Sequence, residues 1–141
     1  MSDEIVHAVD LFPTLARIAG ASVPNDRPID GVDQADFFTG KSEKSAREGI
    51  LVFCAERLQA VKWRNFKLHF YKQDTMVSPA VKLGIPLLFN LYANPREDEE
   101  KTSIDSWVVG PVFKMVAEFE ESTKKYPLIA MGTPDPYRPP L

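Results

Sequence analysis

Hydrophobic and polar residues alternate most regularly between Asn65 and Tyr71. One face of this stretch would carry the apolar side chains of Phe66, Leu68 and Phe70. The other face would carry the polar side chains of Lys67, His69 and Tyr71. Such alternation is typical of a β-strand with one dry face and one face in water. The apolar run Leu58–Trp63 comes just before it, so Arg64 and Asn65 are predicted to form the turn of a hairpin.

Two more apolar runs complete the predicted antiparallel sheet of four strands. Gly49–Cys54 holds four successive hydrophobic residues, which indicates a strand buried on both faces. Cys54 ends this run and is therefore predicted to be a buried apolar side chain. The other run is Pro86–Tyr92, closed by Asn94 and Pro95, and the stretch between Lys72 and Gly84 is predicted to be a loop.

Helical periodicity appears on both sides of these strands. Leu11, Leu15 and Ile18 recur at helical spacing, which predicts a short helix capped by Asp10 and ended by Gly20. Asp33 is predicted to cap a shorter helix that follows, and His7 either caps the first helix or faces another domain.

A longer amphipathic helix is predicted near the end of the chain. It would begin with Pro111 as its first residue and would lie on the dry face of the sheet. Its apolar side would carry Val112, Met115, Val116 and Phe119. The predicted class is α+β: a four-stranded antiparallel sheet packed by one long C-terminal helix, with a short helix and irregular segments before it.

Composition narrows the functional classes. The chain has 141 residues, of which 44% are hydrophobic and 26% charged, as expected for one globular domain. Its net charge of −3 disfavours nucleic-acid binding, which usually needs a basic excess. A single cysteine excludes an internal disulfide and leaves the compartment open. We expect neither a membrane span nor a signal peptide, since no apolar run approaches about 20 residues.

Several motifs resemble the C-terminal region of sulfatases. Ala60–Phe70 is similar to the strand pair AVR-x-G-x-(W/Y)-K-x-H-F, and Leu88–Glu97 resembles LYDL-x-x-DP-x-E. Asp10–Gly20 resembles the earlier helix D-L-x-P-T-L…AG, and Asp30-Gly31 resembles the DG turn after it. Phe89, Asn90 and Asn94 depart conservatively from the pattern. Order and spacing point to the branch of arylsulfatase A and galactosamine-6-sulfatase.

The resemblance implies a support role for this chain. Sulfatases use a formylglycine made from cysteine in a C-x-P-S-R type motif, together with a Ca²⁺ site, and neither motif occurs here. The resemblance thus implies that residues 1–48 join a catalytic domain and that residues 49–141 form the C-terminal-like α+β subdomain. We expect the chain to have no cofactor of its own, to be non-catalytic by itself and to partner the catalytic domain. Members of the family are often periplasmic, secreted or lysosomal, and the location of this chain stays open.

Two tempting sites are better explained otherwise. Cys54-Ala55-Glu56-Arg57 half-resembles the modification motif, but Glu56 replaces proline or alanine and the arginine comes one position early. The acidic residues Asp26, Asp30, Asp33 and Asp36 are spaced unlike an EF-hand loop, so capping and turn roles are predicted for Asp30 and Asp33.

A candidate substrate rim lies on the polar face of the predicted strand. Lys67, His69 and Lys72 could face a sulfated substrate, since cations there favour anions, or could simply be solvated and hydrogen-bonded. A second functional class is a self-associating interaction module that buries the stripe of the first helix. A third is a nucleic-acid-binding sheet using Lys62, Arg64, Lys67 and Lys72, which the net charge disfavours.

Overall fold

The computed structural model describes residues 2–26, 28–75, 77–98, 105–127, 129 and 132–134. Its helices are α1 (Leu11–Ile18), α2 (Ala35–Phe38) and α3 (Val109–Lys125), with 3₁₀ turns at Ala8–Asp10 and Ser106–Val108. The strands are β1 (Gly49–Cys54), β2 (Arg57–Trp63), β3 (Phe66–Lys72) and β4 (Val81–Asn90). The predicted α+β class is confirmed. Within the described ranges, no helix combines the length and apolar character needed to cross a membrane.

The four strands form one antiparallel sheet in the order β1-β2-β3-β4. The predicted hairpin between β2 and β3 is present: Trp63 pairs with Phe66, and Arg64 takes a left-handed φ of 50° in the turn. The last strand begins earlier than predicted. Val81 and Lys82 pair with Lys72 and Tyr71, so part of the predicted loop is strand.

Strand β1 is less buried than its sequence predicts. Among the residues that the structure describes, it lies at an edge of the sheet and pairs with β2 alone, with a register shift between Val52 and Phe53. Its middle residues are half-buried and its last two are exposed. Cys54 is exposed next to the turn, so the prediction of a buried cysteine is wrong. The run of four hydrophobic residues did not indicate that this strand lies at the edge of the sheet.

The hydrophobic core lies between the sheet and α3, as predicted. Its most buried members come from β2, β3, β4, the turn before α3 and the first turn of α3: respectively Val61, Leu68, Leu88, Val108 and Val112. Met115 and Val116 pack against this core, and the ring of Phe119 lies 5.2 Å from that of Phe53. Helix α3 starts at Val109 because the turn Ser106–Val108 runs directly into it. Pro111 is consequently in the first turn but is not the first helical residue.

The start of α1 differs from the predicted cap. The turn Ala8–Asp10 precedes the helix, and His7 caps that turn by accepting the Val9 N–H on Nδ1 at 3.4 Å. Asp10 accepts the His7 N–H at 2.9 Å and makes no side-chain cap to α1. Asp33 accepts the N–H of Ala35, the first residue of α2, at 2.8 Å. The N-cap position itself is occupied by Gln34 and not by Asp33 as predicted.

Asp10 instead forms a buried ion pair with Arg47. Its side chain is 0% exposed and accepts the Val32 N–H at 2.8 Å and Nε of Arg47 at 2.8 Å. The same guanidinium donates from Nη2 to Asp10 and to the Asp30 carbonyl. Burial acts to raise the pKa of Asp10, but the bonds from Arg47, Val32 and His7 outweigh it and lower that pKa to about 2. Arg47 thereby links the segment before β1 to Asp10, just before α1, and to Asp30, in the loop between α1 and α2.

Gly31 lies beside this ion pair, where the chain passes very close to α1. A Cβ atom at Gly31 would lie 2.9 Å from Cδ of Pro13 and closer still to the Val9 carbonyl. The DG turn therefore needs glycine because of close approach.

Candidate functional site

The structure places the three predicted rim residues in two different settings. Lys67 and His69 lie on the polar face of β3, where they converge on the carboxylate of Glu97. Lys72 is the last residue of β3, is exposed and has its Nζ 3.2 Å from Oδ1 of Asp74. No observation here tests a role for these residues at a substrate, so that role stays a prediction.

Lys67, His69 and Glu97 form a compact group that we call the Glu97 cluster. Nζ of Lys67 donates to Oε1 of Glu97 at 2.7 Å, and Nε2 of His69 lies 2.7 Å from Oε2. The approach of Nε2, which is shielded from water, does not have the alignment of a hydrogen bond. The edge of the imidazole packs against the Phe89 ring of β4, with 5.4 Å between the ring centres. Residues two apart on a strand share a face, so both side chains meet one carboxylate.

The protonation of His69 and Glu97 depends on their burial and on the charges beside them. Burial and the nearby Lys67 charge lower the pKa of His69, and Glu97 offsets them only in part. Burial acts to raise the pKa of Glu97, but the hydrogen bond and the charge of Lys67, together with the close approach of His69, outweigh it and lower that pKa. At neutral pH the cluster therefore holds one ammonium, one carboxylate and a neutral imidazole. An external anion would have to compete with Glu97 for these donors.

A broad open groove lies beside the hairpin turn of β2 and β3. Its volume is about 1010 Å³, and it is lined by residues 2–5, residues 44, 45, 47 and 48, and Lys62, Arg64, Asn65, Leu91 and Tyr92. Charges of both signs meet there: Nη2 of Arg64 donates to Glu48 at 2.9 Å, and the Tyr92 hydroxyl donates to Asp3 at 3.3 Å. Such a lining does not select strongly for an anion or for a cation.

Two of the acidic residues near α2, Asp33 and Asp36, form ion pairs with Arg17. Arg17 donates to Asp33 at 2.8 Å and to Asp36 at 3.0 Å. Across the described ranges, no three His, Cys, Asp or Glu side chains are grouped in a way that could hold a metal ion. The described residues thus do not fit the Ca²⁺ site that the resemblance associates with sulfatases.

Comparison with known proteins gives consistent relatives, although no family profile matches the sequence. Arylsulfatase A of Bos taurus is 33% identical over 115 residues, covering 70% of this chain and 22% of the relative. Arylsulfatase G of Rattus norvegicus is 41% identical over 137 residues, covering 88% of this chain and 23% of the relative. Steryl-sulfatase of Homo sapiens is 44% identical over 61 residues, 43% of this chain and 10% of the relative.

A solved structure agrees in fold over most of the chain. The PsFucS1 sulfatase from Pseudoalteromonas sp. superposes with a TM-score of 0.79 and 27% identity, covering 87% of this chain and 27% of that chain. The chain is a sulfatase C-terminal region. It spans about a tenth to about a quarter of the length of the curated relatives, with shares between 9% and 23%.

Sequence reasoning missed two important residues of this sulfatase C-terminal region. Glu97 belongs to the charged run that begins at Arg96, yet its side chain is half-buried between Lys67 and His69. The one signal was its place at the end of the segment similar to LYDL-x-x-DP-x-E. Arg47 lies in the charged segment before β1, and nothing local indicated that its partner would be Asp10, 37 residues earlier.

Proposed function

We propose that this sulfatase C-terminal region is part of an arylsulfatase-like sulfuric ester hydrolase, in which it supports the catalytic domain. The match to arylsulfatase A carries this proposal, because it extends over 70% of the chain but over only 22% of the relative. The nucleophile and the Ca²⁺ ligands would belong to the remaining part of such an enzyme. The chain would contribute a scaffold and one wall of the substrate cleft.

The face that meets the catalytic domain would be the α1 stripe, which consists of Leu11, Leu15 and Ile18. These side chains are 48%, 59% and 56% exposed. Arg17 of the same helix is directed elsewhere, since it pairs with Asp33 and Asp36. An exposed apolar stripe gains free energy when a partner removes it from water, so it supports a covered face in the whole protein.

The absence of intrinsic activity is the first testable consequence. The purified chain, assayed with p-nitrophenyl sulfate and added Ca²⁺, should give no turnover above a heat-treated sample, because no formylglycine motif surrounds Cys54. A complete arylsulfatase in the same buffer is the positive control. Turnover that the wild-type chain shows and the Cys54→Ala variant loses would overturn the proposal and would identify Cys54 as the nucleophile.

The α1 stripe also favours a second candidate, a module that associates with itself. If a second copy covers the stripe, sedimentation velocity should show concentration-dependent dimers that the substitution Leu15→Lys abolishes. Ile85→Lys is the matched control, because Ile85 is an exposed aliphatic residue on β4, outside the stripe. A wild-type chain that stays monomeric at every concentration would remove this candidate and leave the catalytic domain as the occupant.

A further inference from the structure

Rows of side chains cross the polar face of the sheet, the side away from α3. Residues paired directly across neighbouring strands share a face, so the strand register assigns each row. The row at one end consists of Ile50, Lys62, Lys67 and Phe89. Lys67 pairs with Glu97 at 2.7 Å, but the half-buried Lys62 forms no ion pair with any residue that the structure describes. This end of the face therefore has an ammonium group without a carboxylate.

Another positively charged row crosses the opposite end of the face. Tyr71 pairs with Lys82 of β4, and the guanidinium of Arg57 lies over the Tyr71 ring, 4.7 Å from its centre. Within the described ranges, neither Lys82 nor Arg57 forms an ion pair. The whole chain has a net charge of −3, so these cations form a basic surface on an acidic protein and attract anions.

The row between these two ends carries aliphatic side chains. It consists of Val52, Ala60, His69 and Leu87. Val52 and Leu87 are half-buried, and the imidazole is already in contact with Glu97. Helix α3 packs on the opposite face of the sheet, so part of this aliphatic surface stays in water. An apolar partner that covered it would gain free energy.

Glu97 shows how an acidic residue binds to this face. Its carboxylate accepts from the ammonium of Lys67 at 2.7 Å, and the adjoining His69 packs its ring against Phe89, which is only 7% exposed. A charged contact and an apolar contact thus lie side by side. Lys62 beside Ile50 offers the same combination without an acidic partner.

We propose that the polar face of the sheet is a docking surface for an acidic amphipathic segment of a partner protein. Its carboxylates would reach Lys62 at one end and Lys82 at the other, and its apolar side chains would cover the middle row. The two ends are about 13 Å apart, because Lys67 and Tyr71 lie four residues apart on one strand. A helix spans this distance in about nine residues. The proposal does not depend on the sulfatase role.

Other occupants fit the face less well. A nucleic acid or another polyanion would satisfy the ammonium groups but would leave the aliphatic groups of the middle row in water. A second copy related by a two-fold axis would place the same cations opposite one another. A segment with both acidic and apolar side chains complements both properties of the face, as amphipathic helices do in the grooves that bind them.

Nuclear magnetic resonance on the ¹⁵N-labelled whole chain tests the docking surface. The probe is an acetylated and amidated peptide of about 16 residues, made of Glu, Leu and Ala, with its leucines on one helical face. The amide signals of Val52, Lys62 and Lys82 should shift during the titration. The affinity should fall severalfold between about 50 mM and about 300 mM salt, because charge pairs contribute to it.

Matched peptides separate the two contributions. A peptide with Gln for every Glu and a peptide with Ser for every Leu should each bind at least about tenfold more weakly than the probe. The proposal is overturned if no signal moves or if the shifts fall on α1. It is also overturned if the Ser peptide or a single-stranded oligothymidylate binds as tightly as the probe, which would mark a general polyanion site. The same shifts on concentrating the chain without peptide would identify a second copy instead.

Charge reversals in the chain provide a second measurement. Lys62→Glu and Lys82→Glu should each weaken binding of the probe severalfold. Lys41→Glu is the matched control, because it makes the same change of charge at an exposed residue outside the sheet, and it should bind as the wild type does. Equal affinities for all three variants would contradict the proposal. The peptide comparison needs only the wild type, so it decides the question even if a variant does not fold.

Discussion

Replacing Asp10 with alanine should lower the free energy of unfolding by about 3–5 kcal/mol, the usual result of removing one partner of a buried ion pair. The Arg47 guanidinium would keep its nearly buried position without a carboxylate, and the N–H groups of His7 and Val32 would lose their acceptor. Urea denaturation followed by circular dichroism measures the change.

The control for this experiment is Asp36→Ala, which removes an exposed partner of Arg17. Both Asp36 and Arg17 are about half-exposed, and the remaining Asp33 still pairs with the arginine. A loss between about 0 and about 1 kcal/mol is expected there. Equal losses for the two variants would contradict the assignment of Asp10 as a buried anchor.

The same ion pair makes the stability of the fold depend on acid. The pKa of Asp10 is about 2 in the folded protein and near the ordinary value of 3.8 when unfolded, so the unfolded chain binds the proton first. Asp10 therefore contributes about 2 kcal/mol of stability above about pH 4, and this contribution disappears as the pH falls towards about 2. The Asp10→Ala variant should lose that part of the acid dependence.

Shortening Leu88 to alanine should cost about 2–5 kcal/mol in the free energy of unfolding, because it leaves a cavity in the centre of the core. Leu88 is 0% exposed and lies opposite Leu68 in the pairing of β3 with β4. Thermal or urea unfolding of the purified variant gives the value directly.

A matched substitution lies on the same strand. Ile85 is 74% exposed, so Ile85→Ala removes a similar volume of side chain while leaving the core intact. Its effect should stay within about 0.5 kcal/mol. A large loss for Ile85→Ala together with a small loss for Leu88→Ala would mean that the dry face of the sheet has been assigned to the wrong residues.

Local patterns in the sequence predicted the core, because the spacing of apolar residues along a strand or a helix determines which of its faces is buried. The alternation from Phe66 to Phe70 placed Phe66 and Leu68 on the dry face, and both are buried in the structure. Helical spacing placed Val112 against the sheet in the same way. The resemblance in short motifs predicted the sulfatase C-terminal fold, which the comparisons confirm.

Patterns were less informative where the fold depends on distant partners. Arg47 and Asp10 are 37 residues apart, and Glu97 and Lys67 are 30 apart, so neither pair leaves a periodic signal. Local patterns therefore do not show that folding covers these charged side chains. The first half of β4 was missed for a related reason, since exposed residues and Gly84 interrupt its apolar pattern.

The two outer strands affect how other chains could attach to this protein. An open edge strand invites an extra strand from a neighbour, and such addition leads to uncontrolled aggregation. Here β1 is offset by the register shift between Val52 and Phe53, and β4 contains Pro86, which has no N–H to offer. Extension of the sheet from molecule to molecule is thereby discouraged at both of these strands.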